Sequence, residues 1–228
     1  MKLLALDTSS VACTVAVQIG EQVFKRHDEE PRGHTRLLIP MIRSVLADAN
    51  VGLSDLDGIV LGNGPGSFIG MRIAASVAQG LAFGADLRIA PVSSLAAVAA
   101  EVGASGLAHV AVAQDAHMQE VYLGLYEVQD GIMSAMAPER LQRCEVIAEL
   151  GDEDNFVAAG YGWQRFPALL EANRANLQGG AEVLYPHARF LLKLGTAVFE
   201  RGEAVAAEDV TPAYLRQKVA EIPHRKVR

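Results

Sequence analysis

The chain has 228 residues, half of them apolar, with 20 Lys and Arg against 27 Asp and Glu and a formal net charge of -7. That length suits one large domain or two compact lobes, and the acidic balance argues against a protein that grips a phosphate backbone alone. No apolar run reaches the roughly 18 residues that span a bilayer. The apolar start is too short for a secretory signal, and Cys13 and Cys144 lack metal-type spacing and supply at most one disulfide, so the expected setting is the cytoplasm with no membrane contact.

Residues 3–6 are a short apolar run ending in Asp7-Thr8-Ser9-Ser10, a strand entering a polar turn. Val11, Cys13, Val15, Val17 and Ile19 alternate, which predicts a second strand, and Gly20-Glu21 turns the chain into a third over 22–27. From His34 the period changes. Leu37, Leu38, Met41, Ile42, Val45, Leu46 and Ala49 recur at helical spacing, with Arg36, Arg43 and Asp48 opposite. Pro40 falls early in this helix, where a missing N–H does less damage. A strand over 57–61 then meets the glycine-rich stretch 62–70, followed by a helix over 71–83 that ends at Gly84. A strand over 88–92 and an alanine-rich helix over 93–102, with Ser93 as N-cap, complete the first half.

After Gly103-Ala104-Ser105-Gly106 the plan restarts. A strand over 108–113 ends in Gln114-Asp115, a second spans 120–128, and Asp130-Gly131 turns into a third. A weaker helical pattern covers 143–150, and residues 156–159 run into Gly160-Tyr161-Gly162 as 59–61 run into Gly62-Asn63-Gly64. A repeat at roughly 100 residues predicts a duplicated α/β fold rather than a solenoid. The expected lobes are 1–103, with about 208–228 packing back on the first, and 104–207. Residues 186–201 read as a long helix and 211–218 as a short element.

Asp7-Thr8-Ser9 at a strand end suits a phosphate or a hydrated metal, or else a turn shaped by its own side chains. The run from Gly64 through Gly66, Ser67 and Gly70 to Arg72 suits an anion at a helix start, or the close packing of two elements. It lacks the Gly-Lys-Ser/Thr of a P-loop, the dinucleotide spacing and the hydrolase elbow. His27, His34, His109, His117, His187 and His224 form no i, i+4 pair, and no carboxylate pair stands out as acid and base. The expectation is a cleft with no catalytic residue and no metal. A small-molecule kinase using Asp7, Thr8 and Asp115 remains the alternative. Arg216, Lys218, His224, Arg225, Lys226 and Arg228 cluster at the end, as a solvated tail or as an element touching RNA or a partner.

Several runs resemble the bacterial TsaB family: Leu4-Ala5-Leu6-Asp7-Thr8-Ser9, Arg32-Gly33-His34-Thr35, Gly64-Pro65-Gly66-Ser67-Phe68 with Gly70 and Arg72-Ile73, and Val92-Ser93-Ser94-Leu95. Glu120-Val121-Tyr122, Gly160 with Gly162-Trp163, and Pro212 with Tyr214-Leu215-Arg216 carry the match over nearly the whole chain. The resemblance implies the actin-like, Hsp70-like and sugar-kinase-like (ASKHA) fold, an α/β architecture of two duplicated lobes of mixed sheet flanked by helices. It also implies a scaffold role in making threonylcarbamoyladenosine beside the anticodon of ANN-decoding tRNAs. The subunit would pair with its catalytic paralogue TsaD and recruit the ATPase TsaE, meet tRNA only through the complex, and form a homodimer when alone. Nucleotide would bind only at the level of the complex. The paralogue's metal-binding histidine pair falls here on Ser94 and Val98. Pairing is expected through the first-lobe helices, with Leu38, Met41, Ile42, Val45, Met71, Ile73 and Val77 as candidates and Met41→Glu as the disrupting change, although each helix must also pack on its own sheet and any single Leu or Met suits that core first.

Overall fold

The computed structural model describes residues 1–144 and 155–216. Its first sheet contains β1 (Lys2–Asp7), β2 (Cys13–Ile19), β3 (Gln22–Asp28), β4 (Gly58–Gly62) and β5 (Ile89–Val92), in the order β3-β2-β1-β4-β5. The first three strands form an antiparallel meander, whereas β4 and β5 run parallel to β1. Parallel neighbours need crossovers, and these are α1 (His34–Asp48) before β4 and α2 (Phe68–Ala85) before β5.

The second sheet repeats the scheme. It holds β6 (His109–Asp115), β7 (Glu120–Gln129), β8 (Ile132–Ala135), β9 (Arg140–Arg143), β10 (Phe156–Ala159) and β11 (Leu177–Gly180). The order is β11-β10-β6-β7-β8, with β9 added beside the first half of β7. Strand for strand and direction for direction, β6, β7, β8, β10 and β11 copy β1 to β5. The duplication predicted from spacing is present.

Alternation along the strands assigns the faces. Leu4, Leu6, Val15, Val17, Ile59 and Leu61 point to α1 and α2, while Leu3, Ala5, Ala16, Val60 and Ala90 point to α6 (Ala188–Glu200). α6 seats closely because Gly195 lacks a Cβ, which would stand 2.3 Å from a Val60 methyl. α3 (Ser94–Gly103) lies on β6, β7 and β8, and touches α6 in the middle of the molecule. α4 (Tyr161–Arg165) and α5 (Pro167–Ala172) cover the far face, with Trp163, Phe166 and Leu169 buried on β6, β7 and β10. The layers are therefore α1/α2, first sheet, α6 and α3, second sheet, α4/α5.

A cut at 103/104 separates the two sheets, yet the helices beside that plan cross it. α3 packs on the second sheet and α6 on the first. The glycine-rich stretch ends earlier than its composition suggests, because Ser67 Oγ caps α2 by accepting from Gly70 N at 3.3 Å. The helix expected over 143–150 lies largely on residues outside those described, and residues 140–143 form β9 instead, held by pairing with β7. Residues 211–216 form neither helix nor strand, and the tail residues Lys218, His224, Arg225, Lys226 and Arg228 lie outside the described residues.

Candidate functional site

The carboxyl ends of β1, β4 and β5 bring Asp7, Gly62 and Val92 to one edge, where the glycine-rich loop 63–67 folds down onto the turn 7–9. Asp7 and Thr8 are fully buried and Ser9 is 3% exposed. Asp7 Oδ1 accepts from Ser9 N at 2.6 Å, and Oδ2 accepts from the Ser94 hydroxyl at 2.5 Å. Ser94 Oγ in turn accepts from Gly64 N at 3.0 Å. Thr8 Oγ1 donates to Gly70 O at 2.7 Å, and Ser67 N donates to Ser9 O at 2.6 Å. Burial pushes the Asp7 carboxyl up to about 6, against the opposing pull of the hydrogen bonds from Ser94 and Ser9.

Close approach is why this loop needs glycine. An added Cβ would stand 1.9 Å from Asp7 Oδ2 at Gly62, 2.2 Å from Ser9 O at Gly66, and 1.9 Å from Thr8 O at Gly70. Asp7, Thr8, Ser9, Gly64, Gly66 and Ser67 are thus brought together, with their hydrogen-bonding groups spent largely on one another. Arg72 is engaged elsewhere. Its guanidinium lies 3.6 Å over the Phe68 ring, and Nε donates to the Tyr214 hydroxyl at 2.9 Å.

The corresponding turn of the second lobe follows β6. Asp115 Oδ1 accepts from His117 N at 2.8 Å, and Oδ2 lies 4.0 Å from Arg165 Nε. Where the resemblance puts a metal-binding histidine pair, Ser94 is committed to Asp7 and Val98 is fully buried in the core of the second lobe. Among the described residues no group of three or more His, Cys, Asp or Glu is placed to hold a metal ion.

The helical face requires a correction. Leu38, Met41, Ile42, Val45 and Met71 are 9% exposed or less and belong to the lobe's own interior. The i, i+3, i+4 stripe read from sequence is the stripe that packs on the sheet. Ile73 and Val77 are half-buried and line a groove of about 400 Å³ between α1 and α2, with His34, Thr35, Leu38, Ile39, Ile69, Arg72 and Ser76. Ile69 at one end of α2 is 70% exposed and Phe83 at the other is 85% exposed. A signal for this second face existed. α2 has a mean hydropathy of 1.3 over 18 residues, and a helix apolar on most sides has more than one face to cover.

Two duplicated lobes, each with an acid at the end of its first strand, define a protein of the actin-like, Hsp70-like and sugar-kinase-like class. The family model described as "TsaD: tRNA N6-adenosine threonylcarbamoyltransferase" matches residues 28–224. The tRNA threonylcarbamoyladenosine biosynthesis protein TsaB of Escherichia coli (strain K12) is 36% identical, over 96% of this chain and 96% of its own. Its counterpart in Haemophilus influenzae is 34% identical over 99% of both. The chain belongs to the TsaB family. A crystal structure from Pseudomonas aeruginosa, described as an uncharacterized protein with similarity to peptidase YeaZ, superposes with a TM-score of 0.88 at 39% identity, covering 94% of this chain and 99% of that one. YeaZ from Pseudomonas aeruginosa superposes with a TM-score of 0.85 at 38% identity.

Proposed function

We propose that this chain serves tRNA threonylcarbamoyladenosine biosynthesis in the cytoplasm as a non-catalytic subunit, pairing with the catalytic paralogue TsaD through the outer face of α1 and α2. The observation that carries this reading is the apolar groove between those helices, with exposed Ile69 in its lining and exposed Phe83 at the other end of α2. Both faces of each sheet have helices against them, and on the outer side of α1 and α2 half-buried Ile39, Ile73 and Val77 face the groove. Matching helices from a partner would complete a four-helix contact of standard size. In the absence of TsaD a second copy takes the same face. The scaffold reading also draws support from Ser94 and Val98, which offer no metal ligand where the paralogue carries its histidines. TsaE joins the assembled pair, tRNA is met through the complex, and any nucleotide binds at that level and not on this chain alone.

The test is copurification with TsaD, read alongside mass-spectrometric nucleoside analysis of a depletion strain carrying each variant. Ile69→Glu and Ser76→Arg place charge or bulk in the groove without touching the core. Both are expected to lose TsaD and the modified nucleoside while keeping a native circular dichroism spectrum. Intact modification with the contact abolished would overturn the proposal, as would threonylcarbamoyl transfer by the chain alone. Tight Mg-ATP binding with hydrolysis by the isolated chain would favour the kinase reading.

A further inference from the structure

After α6 the chain returns along the first lobe and then crosses to the second. The 3-10 turn Ala207–Asp209 lies beside α2, where Gln79 Nε2 donates to Ala207 O at 2.8 Å. At the glycine loop, Asn63 Nδ2 donates to Thr211 O at 2.9 Å, and Ala213 N donates to Asn63 O at 3.0 Å. Tyr214 accepts from Arg72 Nε through its hydroxyl, and its ring stands 5.5 Å from that of Phe68. The next residue, Leu215, already packs against the interior of the second lobe. Arg216 then reaches the turn between β6 and β7. One guanidinium nitrogen donates to Ala116 O at 2.8 Å and lies 2.6 Å from Glu120 Oε2, and the other stands 3.6 Å from Met118 Sδ.

That turn is unusual. His117, Met118 and Gln119 have φ of 62°, 55° and 61°, three successive non-glycine residues in the left-handed region. Each is individually unfavourable, and such a run persists only where its surroundings hold it. Internal hydrogen bonds from Ala116 N to Glu120 O and from Glu120 N to His117 O close the turn at 3.0 Å each, and Arg216 clamps it from outside. The Arg216 and Glu120 side chains are 17% and 24% exposed, so the pair is screened by water far less than an open surface ion pair.

We infer that residues 213–216 are an interlobe strap: anchored on Asn63 and Arg72 of the first lobe, it carries Arg216 onto the left-handed turn of the second and fixes the two lobes relative to each other. Both strand-end turns of the duplicated fold are then closed by the chain itself, the first by the glycine loop and the second by Arg216. A ligand approaching the second turn would have to displace the strap. This reading concerns the chain alone and stands apart from the assignment of a partner.

Amide hydrogen exchange on the isolated full-length chain tests it, because an interlobe tie must transmit a perturbation across the lobes. Arg216→Ala is expected to speed exchange about tenfold in 115–120 and also in 63–72 of the first lobe, and Asn63→Ala to speed it in 63–72 and also in 115–120 of the second. Arg216→Lys, which keeps the charge but loses the fork, should fall between wild type and Arg216→Ala. An effect confined to the lobe that carries the altered anchor would overturn the inference. If Arg216→Ala loses its native circular dichroism, Tyr214→Phe takes its place, since it removes only the hydroxyl that Arg72 uses. Faster exchange in 115–120 of that variant supports the strap, and unchanged exchange there refutes it.

Discussion

Asp7→Asn isolates the contribution of a fully buried carboxyl to the pH dependence of folding. The group titrates near 3.8 when unperturbed and at about 6 in the folded chain, chiefly because burial disfavours its charge. The protonated form is therefore the one the fold prefers. Its stabilisation is complete below about 3.8, declines as pH rises, and is gone above about 6. The interval between the two values, at about 1.4 kcal/mol per pH unit, amounts to about 3 kcal/mol. Asn keeps the acceptor for Ser9 N and can donate to Ser94 Oγ, but it cannot ionise. Urea unfolding followed through the single tryptophan, Trp163, is the assay. With a slope of about 2–3 kcal/mol per M, the wild-type midpoint should fall relative to Asp7→Asn by about 1 M between pH 4 and 7.5. Glu139, a half-buried carboxyl also raised by desolvation, is present in both proteins and cancels in the difference. Parallel pH traces for the two proteins would refute the reasoning.

Three further outcomes follow from the packing. Gly70→Ala drives a methyl to 1.9 Å from Thr8 O, and the clash should cost about 3 kcal/mol and lower the calorimetric melting temperature by about 10 °C. Met41→Glu puts a charge at a position only 9% exposed and should lower stability by several kcal/mol, whereas Ile69→Glu at a site 70% exposed should stay within about 0.5 kcal/mol of wild type by chemical denaturation. Trp163→Phe removes the indole N–H that donates to Ala111 O at 2.9 Å and shrinks a buried ring, which should cost about 2–3 kcal/mol by thermal melting.

Much of this architecture was legible because local pattern and tertiary demand agree. The alternation from Val11 to Ile19, the helical period from Leu37 to Ala49 and the two strand-to-Gly-x-Gly junctions each mark an element present in the fold. The stretch holding α4, α5 and β11 carried no such signal, since its elements are four to six residues long and depend on tertiary contacts around Trp163 and Leu169. At the strand-end loop the sequence left ligand binding and close packing open. The distances that favour packing, such as the missing Cβ of Gly66 against Ser9 O, join residues more than fifty positions apart. The helical face was left open between core and interface for a related reason. Periodicity identifies which side chains share a face, as with Leu38, Met41 and Val45, but not what lies opposite, and here that was the chain's own sheet.

The crossed seating of α3 and α6 bears on how the molecule is made. The first sheet has no inner wall until residues 188–200 have been synthesised, after every strand of the second sheet, so ribosome-bound intermediates carry Leu3, Ala5 and Val60 uncovered while that sheet is being made. Dissecting the gene near codon 103 would strip α6 from its seat in one fragment and leave α3 without a sheet in the other. The halves are expected to recover a native spectrum only when produced together.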